Sequence, residues 1–386
     1  MNEFERQYLE VQDLLKFNDY PLVIKRIIDF TLDTASVPFY IKTNALLDWI
    51  DANPEGSQLH EKLSALLQEL YDKLAIKPIA DKKKILDAEG LKKVYDASAF
   101  ALGPVSLALS EGDIVGLVGE NGNGKTTLLR VLSGELYATS GAVKYHFPYE
   151  DLFELRTKLV YIPQRTETWR GPMFENLVFT ASSYGYRPEE IYLITELIIA
   201  RLGLRKFRKH SWKDLSSGYK MRFELSRMLL RKPRVLLIDE PLANLDILAQ
   251  QTVLEDFRAI AKSPFRPIGV ILSSQQLYEV EKTSDQVIFL KNGVQKNLYE
   301  AENTVSEEVP LKPLVIEFES QWTQSSLNDV LIKTGLQSLQ FNGGTYIATF
   351  SGEISVNDFM KIIVANNIPV TYFRNISNST RRFFVS

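Results

Sequence analysis

Between Gly119 and Thr127 the chain reads Gly-Glu-Asn-Gly-Asn-Gly-Lys-Thr-Thr, a match to G-x4-G-K-[ST]. The apolar run DIVGLV precedes it and the helix-like TTLLRVL follows, and that context gives the pattern meaning. Glycines let the main chain wrap close to phosphate oxygens, so that successive N–H groups and a helix start face the anion. Gly119, Glu120, Asn121, Gly122, Asn123 and Gly124 would form this cradle, closed by Thr127 at the helix start. Lys125 would bridge the β- and γ-phosphates, and Thr126 would hold Mg²⁺. The bland alternative is a glycine turn that happens to precede a helix.

A second constellation is Val235-Leu-Leu-Ile-Asp239-Glu240-Pro241. Four apolar residues predict a buried strand, and ligands of open α/β sheets bind beyond the carboxyl ends of the strands. Asp239 is placed to reach Mg²⁺ through its water shell, and Glu240 to orient and deprotonate an attacking water. Alone, the same run is an ordinary strand followed by a charged turn.

Elements able to position these groups are visible in the pattern. IVGLV (114–118), LVYIP (159–163), VLLID (235–239), GVILS (269–273) and QVIFL (286–290) alternate with helical segments, which predicts a buried parallel sheet. Before it, residues 1–85 carry helical spacing, with Leu59, Leu63, Leu66, Leu67, Leu70 and Leu74 on one stripe. Breaks fall at Asn18–Tyr20, ahead of Pro21, and at Asn53–Gly56; three or four packed helices are expected. The charged KPIADKKK (77–84) and the acidic 300–313 read as linkers. From 312 to 386 the order is strand, helix, strand, strand, helix, strand, a ferredoxin-like βαββαβ pattern with a turn at 342–344. The expected domains are thus 1–85, 86–302 and 312–386.

Composition narrows the classes. The 386 residues carry 45 Lys+Arg against 48 Asp+Glu, so no global field attracts nucleic acid, and none is expected as a partner. Cysteine is absent, which removes disulfides and thiolate metal sites, and three scattered histidines suggest no metal cluster. No apolar run approaches a membrane span, and the acidic start lacks the plan of a signal peptide, so action in the cytoplasm is expected. A basic run, Arg201, Arg205, Lys206, Arg208, Lys209 and Lys213, is either a solvated face or a contact for lipid heads, nucleic acid or an acidic protein loop.

Taken in order, these motifs resemble the nucleotide-binding domain of the ATP-binding cassette (ABC) superfamily over about Leu91–Gly293. Tyr95 lies 24 residues before Gly119, where the family stacks an aromatic ring on adenine. Gln164, 39 residues after Lys125, matches the glutamine that senses Mg²⁺ and the attacking water and couples to the permease. Leu215-Ser216-Ser217-Gly218-Tyr219 matches the signature LSGGQ, with Arg222 behind it. Asp239 and Glu240 match the Walker B pair, and Ala243–Asp246 the D-loop. Two departures stand out. Ser217 and Tyr219 replace a glycine and the glutamine of the signature, and Gln275 stands where the family places its switch histidine.

The resemblance implies a P-loop cassette with a helical subdomain, binding ATP and Mg²⁺. It implies that Ser216, Ser217, Gly218 and Asp246 reach the nucleotide across a head-to-tail dimer, formed with a second copy or a relative. Because the C-terminal part resembles the small domain of ABC-2 type exporter ATPases, the expected function is the ATPase subunit of an exporter. It would sit on the inner face of the membrane through separately encoded permease subunits. A non-transport ABC ATPase and a slowly hydrolysing regulatory cassette are the alternatives. Gln275 carries no charge and cannot shuttle a proton, so slow turnover is expected.

Overall fold

The computed structural model describes residues 2–53, 56–79, 81–95, 101–166, 168–243, 245–275, 277–296, 313–342, 344–351 and 354–377. Most of the expected acidic linker at 300–313, two positions of the expected break at 53–56 and one of that at 342–344 lie outside them.

Four helices open the chain: α1 (Glu3–Lys16), α2 (Tyr20–Thr34), α3 (Val37–Ala52) and α4 (Leu59–Leu74). Asn2 and Glu5 form a reciprocal capping box on α1. Asp19 caps α2 by accepting the Leu22 N–H, with Pro21 in the first turn, where its missing donor costs nothing. The α4 stripe turns inward: Leu63, Leu66, Leu67, Leu70 and Leu74 share one core with Phe4, Val11, Val23, Ile27 and Phe30.

The sheet strands follow in two groups. β1 (Lys84–Val94), β2 (Ala101–Ser110) and β4 (Ser140–Tyr145) form an antiparallel sheet in the order β2-β1-β4. The sequence reading did not find this sheet. β3 (Ile114–Val118), β5 (Leu159–Ile162), β6 (Val235–Ile238), β7 (Gly269–Ser274), β8 (Gln286–Lys291) and β9 (Val294–Lys296) form the second, ordered β5-β6-β7-β3-β8-β9. Its pairs β5/β6, β6/β7, β7/β3 and β3/β8 are parallel, and β3, β6 and β7 are buried along their whole length, as the apolar runs predict. Around it run α5 (Lys125–Leu132), α6 (Leu152–Lys158), α7 (Met173–Ser183), α8 (Pro188–Arg201), α9 (Ser217–Leu230), α10 (Ile247–Ala261) and α11 (Leu277–Thr283).

Met1–Gln295 is one compact unit and Lys296–Ser386 a second. The boundary expected near 85 therefore marks a change from helix to strand and not a change of compact unit. The reason is physical. Phe265 packs on Phe4 with ring centroids 5.4 Å apart, and Asn44 donates from α3 to the Leu193 carbonyl of α8 at 3.1 Å. The basic run adds to these contacts. Arg201 is buried between Asp29 and Asp256, and Arg205 pairs with Asp48 and Asp51, so those two arginines hold the N-terminal helices to the cassette.

In the second unit, β10 (Leu314–Ser320), α12 (Gln324–Leu331), β11 (Leu336–Asn342), β12 (Thr345–Phe350), α13 (Val356–Ala365) and β13 (Val370–Asn375) follow in that order. The sheet is antiparallel and ordered β11-β12-β10-β13, the ferredoxin-like arrangement. Leu327, Leu331, Phe359 and Ile363 of the helices cover Ile316, Phe318, Ala348 and Phe350 of the strands.

Candidate nucleotide site

Parallel pairing puts the carboxyl ends of β3, β5, β6 and β7 on one edge of the large sheet. The glycine loop leaves β3, Gln164 follows β5 by two residues, Asp239 and Glu240 follow β6, and Gln275 follows β7. Among the described residues a cavity of about 430 Å³ at this edge is lined by Glu120, Asn121, Gly122, Gly124, Lys125, Thr126, Thr127, Gln164 and Glu240.

The loop is held by its own chemistry. Gly124 caps α5 at φ +93°, and Gly122 stands at φ +82°, where L side chains are strained. Asn123 turns away from the cavity and accepts the Asn292 N–H at 3.0 Å, which pins the loop to the turn between β8 and β9. The Lys125 ammonium is buried. It donates to the Gly119 and Glu120 carbonyls at 2.6 and 3.2 Å, and pairs with Glu240 Oε1 at 3.1 Å.

Asp239 lies just beneath, 2% exposed. Thr126 Oγ1 donates to its Oδ2 at 2.7 Å, and Ser273 Oγ to its Oδ1 at 2.7 Å. Tyr161 OH approaches Oδ2 at 3.4 Å; burial, and then the Asp239 charge, push that phenol above its ordinary range. A hydroxyl and a carboxylate in contact, with the Gln164 amide lining the same cavity, make an all-oxygen donor set that fits Mg²⁺. Thr126 would hold it directly and Asp239 through water.

Other expected residues stand apart from the cavity lining. Tyr95 is half-buried just past β1, with the Lys93 ammonium 5.5 Å from its ring centre. Ser216 is the N-cap of α9, and Ser217 and Gly218 open that helix; both serines are exposed. Tyr219 packs its ring on Phe207 at 4.0 Å, so this departure from the signature is used in packing the helical layer. Asp246 caps α10 by accepting the Ala249 N–H at 2.9 Å. Gln275 is exposed and does not line the cavity of the single chain. Sequence reasoning missed Ser273 and Tyr161. The only signal for the first was a pair of serines closing an otherwise apolar strand.

Comparison with known proteins agrees with this geometry. Residues 102–243 match the profile of the ABC transporter family. The tungstate uptake system ATP-binding protein TupC of Peptoclostridium acidaminophilum is 28% identical over 211 residues, 54% of this chain and 95% of its own. The spermidine/putrescine import ATP-binding protein PotA of Mesoplasma florum is 31% identical over 217 residues, 54% of this chain and 59% of its own. The organic anion transporter ABCA8B of Mus musculus is 30% identical over 224 residues, which is 14% of that protein. Among solved structures, cbiO1 of Clostridium perfringens superposes with a TM-score of 0.51 at 23% identity, covering 55% of this chain and 87% of that one, a likeness of fold. With a glycine loop, a paired carboxylate edge and a family match over the same segment, this chain carries the ATP-binding cassette domain of the ABC transporter family.

Proposed function

We propose that the protein is the ATP-hydrolysing subunit of a membrane transporter, acting in the cytoplasm on separately encoded permease subunits. The observation that carries this reading is the meeting of Lys125, Thr126, Asp239 and Glu240 at one sheet edge. Lys125, freed from Glu240, would take the β- and γ-phosphates; Glu240 would then orient the attacking water and accept its proton. Bound Mg²⁺ would neutralise charge on the phosphate oxygens. Ser216, Ser217 and Gly218 sit at an exposed helix start away from this cavity, which supports a role on nucleotide held by a second subunit. No helix among the described residues is long and apolar enough to cross a membrane, in keeping with a permease on another chain.

Export is the direction favoured by the ferredoxin-like unit, which resembles the small domain of exporter ATPases. The relatives named for uptake or import align with about half of this chain. A second reading, slow basal turnover, is favoured by the neutral Gln275.

Glu240→Gln tests the chemistry. It keeps shape, removes the base, and should lower hydrolysis by about 10²- to 10⁴-fold while ATP binding persists. Detergent extraction of the native complex tests the assembly: a polytopic membrane protein should co-purify. Recovery with ribosomes instead, and with no membrane protein, would replace the transport reading by a non-transport one.

A further inference from the structure

We propose that Ser273 is a positioning residue for hydrolysis, one buried hydroxyl that sets both carboxylate residues at the end of β6. The inference rests on the ATPase reading of Glu240. Ser273 lies in β7 and is 0% exposed. Its Oγ donates to Asp239 Oδ1 at 2.7 Å and accepts the Glu240 N–H at 2.8 Å. The order of donors is forced, because a backbone N–H can only donate and the hydroxyl has one proton to give. The chain Glu240 N–H to Ser273 O–H to Asp239 carboxylate is therefore one-way, and the Asp239 charge polarises it.

Glu240 needs such a hold. Its backbone stands at φ +50°, a left-handed conformation that a residue with a Cβ keeps only when its surroundings fix it. Of its immediate neighbours, Asp239 has its own N–H on the Ile162 carbonyl at 2.9 Å, and the Glu240 carbonyl accepts the Ala243 N–H at 3.1 Å. The Glu240 N–H is left to the Ser273 hydroxyl, which thereby sets where the side chain enters the cavity. The same hydroxyl fixes one Asp239 oxygen, while Thr126 Oγ1 holds the other at 2.7 Å. A single side chain thus couples the direction of the base to the orientation of the carboxylate beside the metal-binding threonine.

The test is steady-state ATP hydrolysis by the full-length chain carrying Ser273→Ala, Ser273→Cys or Ser273→Thr, with Glu240→Gln as reference. Ser273→Ala should lower kcat roughly ten- to a hundredfold, the scale for residues that orient catalytic or metal-binding groups. KM for ATP should change little, since the loss falls on the transition state and not on binding. Half-maximal rate should require more Mg²⁺. Ser273→Thr should restore most of the rate, because it returns the hydroxyl. If the Ala variant does not fold, Cys carries the same test with similar volume and a poorer acceptor. A hydroxyl used only for packing would shift the unfolding midpoint and leave kcat at the native value. That outcome, with Glu240→Gln inactive, overturns this proposal alone. A native chain without ATPase activity, or a Glu240→Gln variant as fast as native, overturns the ATPase reading and the proposal with it.

Discussion

Arg201 Nε meets Asp29 Oδ1 at 2.7 Å across 172 residues of sequence. On its other side Arg201 Nη1 donates to Asp256 Oδ1 at 2.7 Å, and Lys25 Nζ reaches the same oxygen at 3.0 Å. One guanidinium at the end of α8 thus joins α2 of the N-terminal helices to α10 beside the sheet. The Arg201 side chain is 4% exposed and that of Asp256 is 2% exposed, so water does not screen the pair. Two carboxylates hold the guanidinium charged against the cost of its burial.

Arg201→Ala leaves Asp29 and Asp256 without their shared cation. Removing one partner of a buried pair costs about 3–5 kcal/mol. Urea unfolding of the full-length chain should show a loss on this scale. ATP affinity of the folded variant should stay near native, because Arg201 does not line the nucleotide cavity. A loss under about 1 kcal/mol, the scale of an exposed pair, would mean that Arg201 adds little and that the remaining contacts hold the helices.

What the sequence disclosed was local, and what it hid was not. Glycine spacing and four apolar residues ending in Asp239-Glu240 are contiguous signals, so the phosphate loop and β6 were legible. The ring of ion pairs was not, because Arg205 finds Asp48 at a separation of 157 residues, and a linear reading leaves such arginines as a solvated face. The antiparallel sheet was obscured for two reasons. β1 is broken by irregular register near Leu91, with charged residues on its open side. Pro104 lies within β2, where a proline argues against a strand; β2 tolerates it because it is an edge strand. Ser273 was legible as a residue and not as a role, since Asp239 lies 34 positions away.

Gly119→Ala should cost both fold and binding. A Cβ there would stand 2.5 Å from the Leu290 carbonyl oxygen, a backbone atom at the end of β8 that cannot rotate away. The loop would have to shift off the strand, costing about 1–3 kcal/mol as overpacking does. Gly122→Ala separates strain from contact: nothing lies within 4 Å of its Cβ, but φ is +82°. Nucleotide titration and thermal unfolding of both variants should show the larger losses at Gly119.

Acid should weaken α8 at its start. Arg187 donates to Glu190 Oε1 at 2.7 Å and its N–H to Oε2 at 3.1 Å, and this guanidinium holds the Glu190 carboxyl below the ordinary value of 4.5. The folded value is lower than the unfolded one. The stabilisation is therefore present in full above about pH 4.5 and is lost as pH falls through the folded value. Glu190→Gln should be less stable than native near pH 7 and should lose that deficit as pH falls below 4.5. Equal stability at both pH values would show that the exposed Arg187 side of the pair contributes nothing.

Gln275 is the first residue after β7, and Ser274 before it pairs in register with Val118, the last residue of the strand that launches the phosphate loop. Being exposed and outside the single-chain cavity, it should not affect ATP affinity measured on dilute, unpaired chains. Its effect belongs to turnover. A neutral amide can position a phosphate oxygen but offsets developing charge less than a protonated imidazole would. One charge-assisted hydrogen bond is worth about 1.5–3 kcal/mol, or roughly ten- to a hundredfold in rate. Native turnover should therefore be slow, Gln275→Ala slower still, and Gln275→His equal to native or faster where the pocket admits the ring. Measuring kcat and ATP affinity on the same preparations separates chemistry from binding. If Gln275→Ala hydrolyses ATP as fast as the native chain, Gln275 is not the switch, and the γ-phosphate is read by other groups.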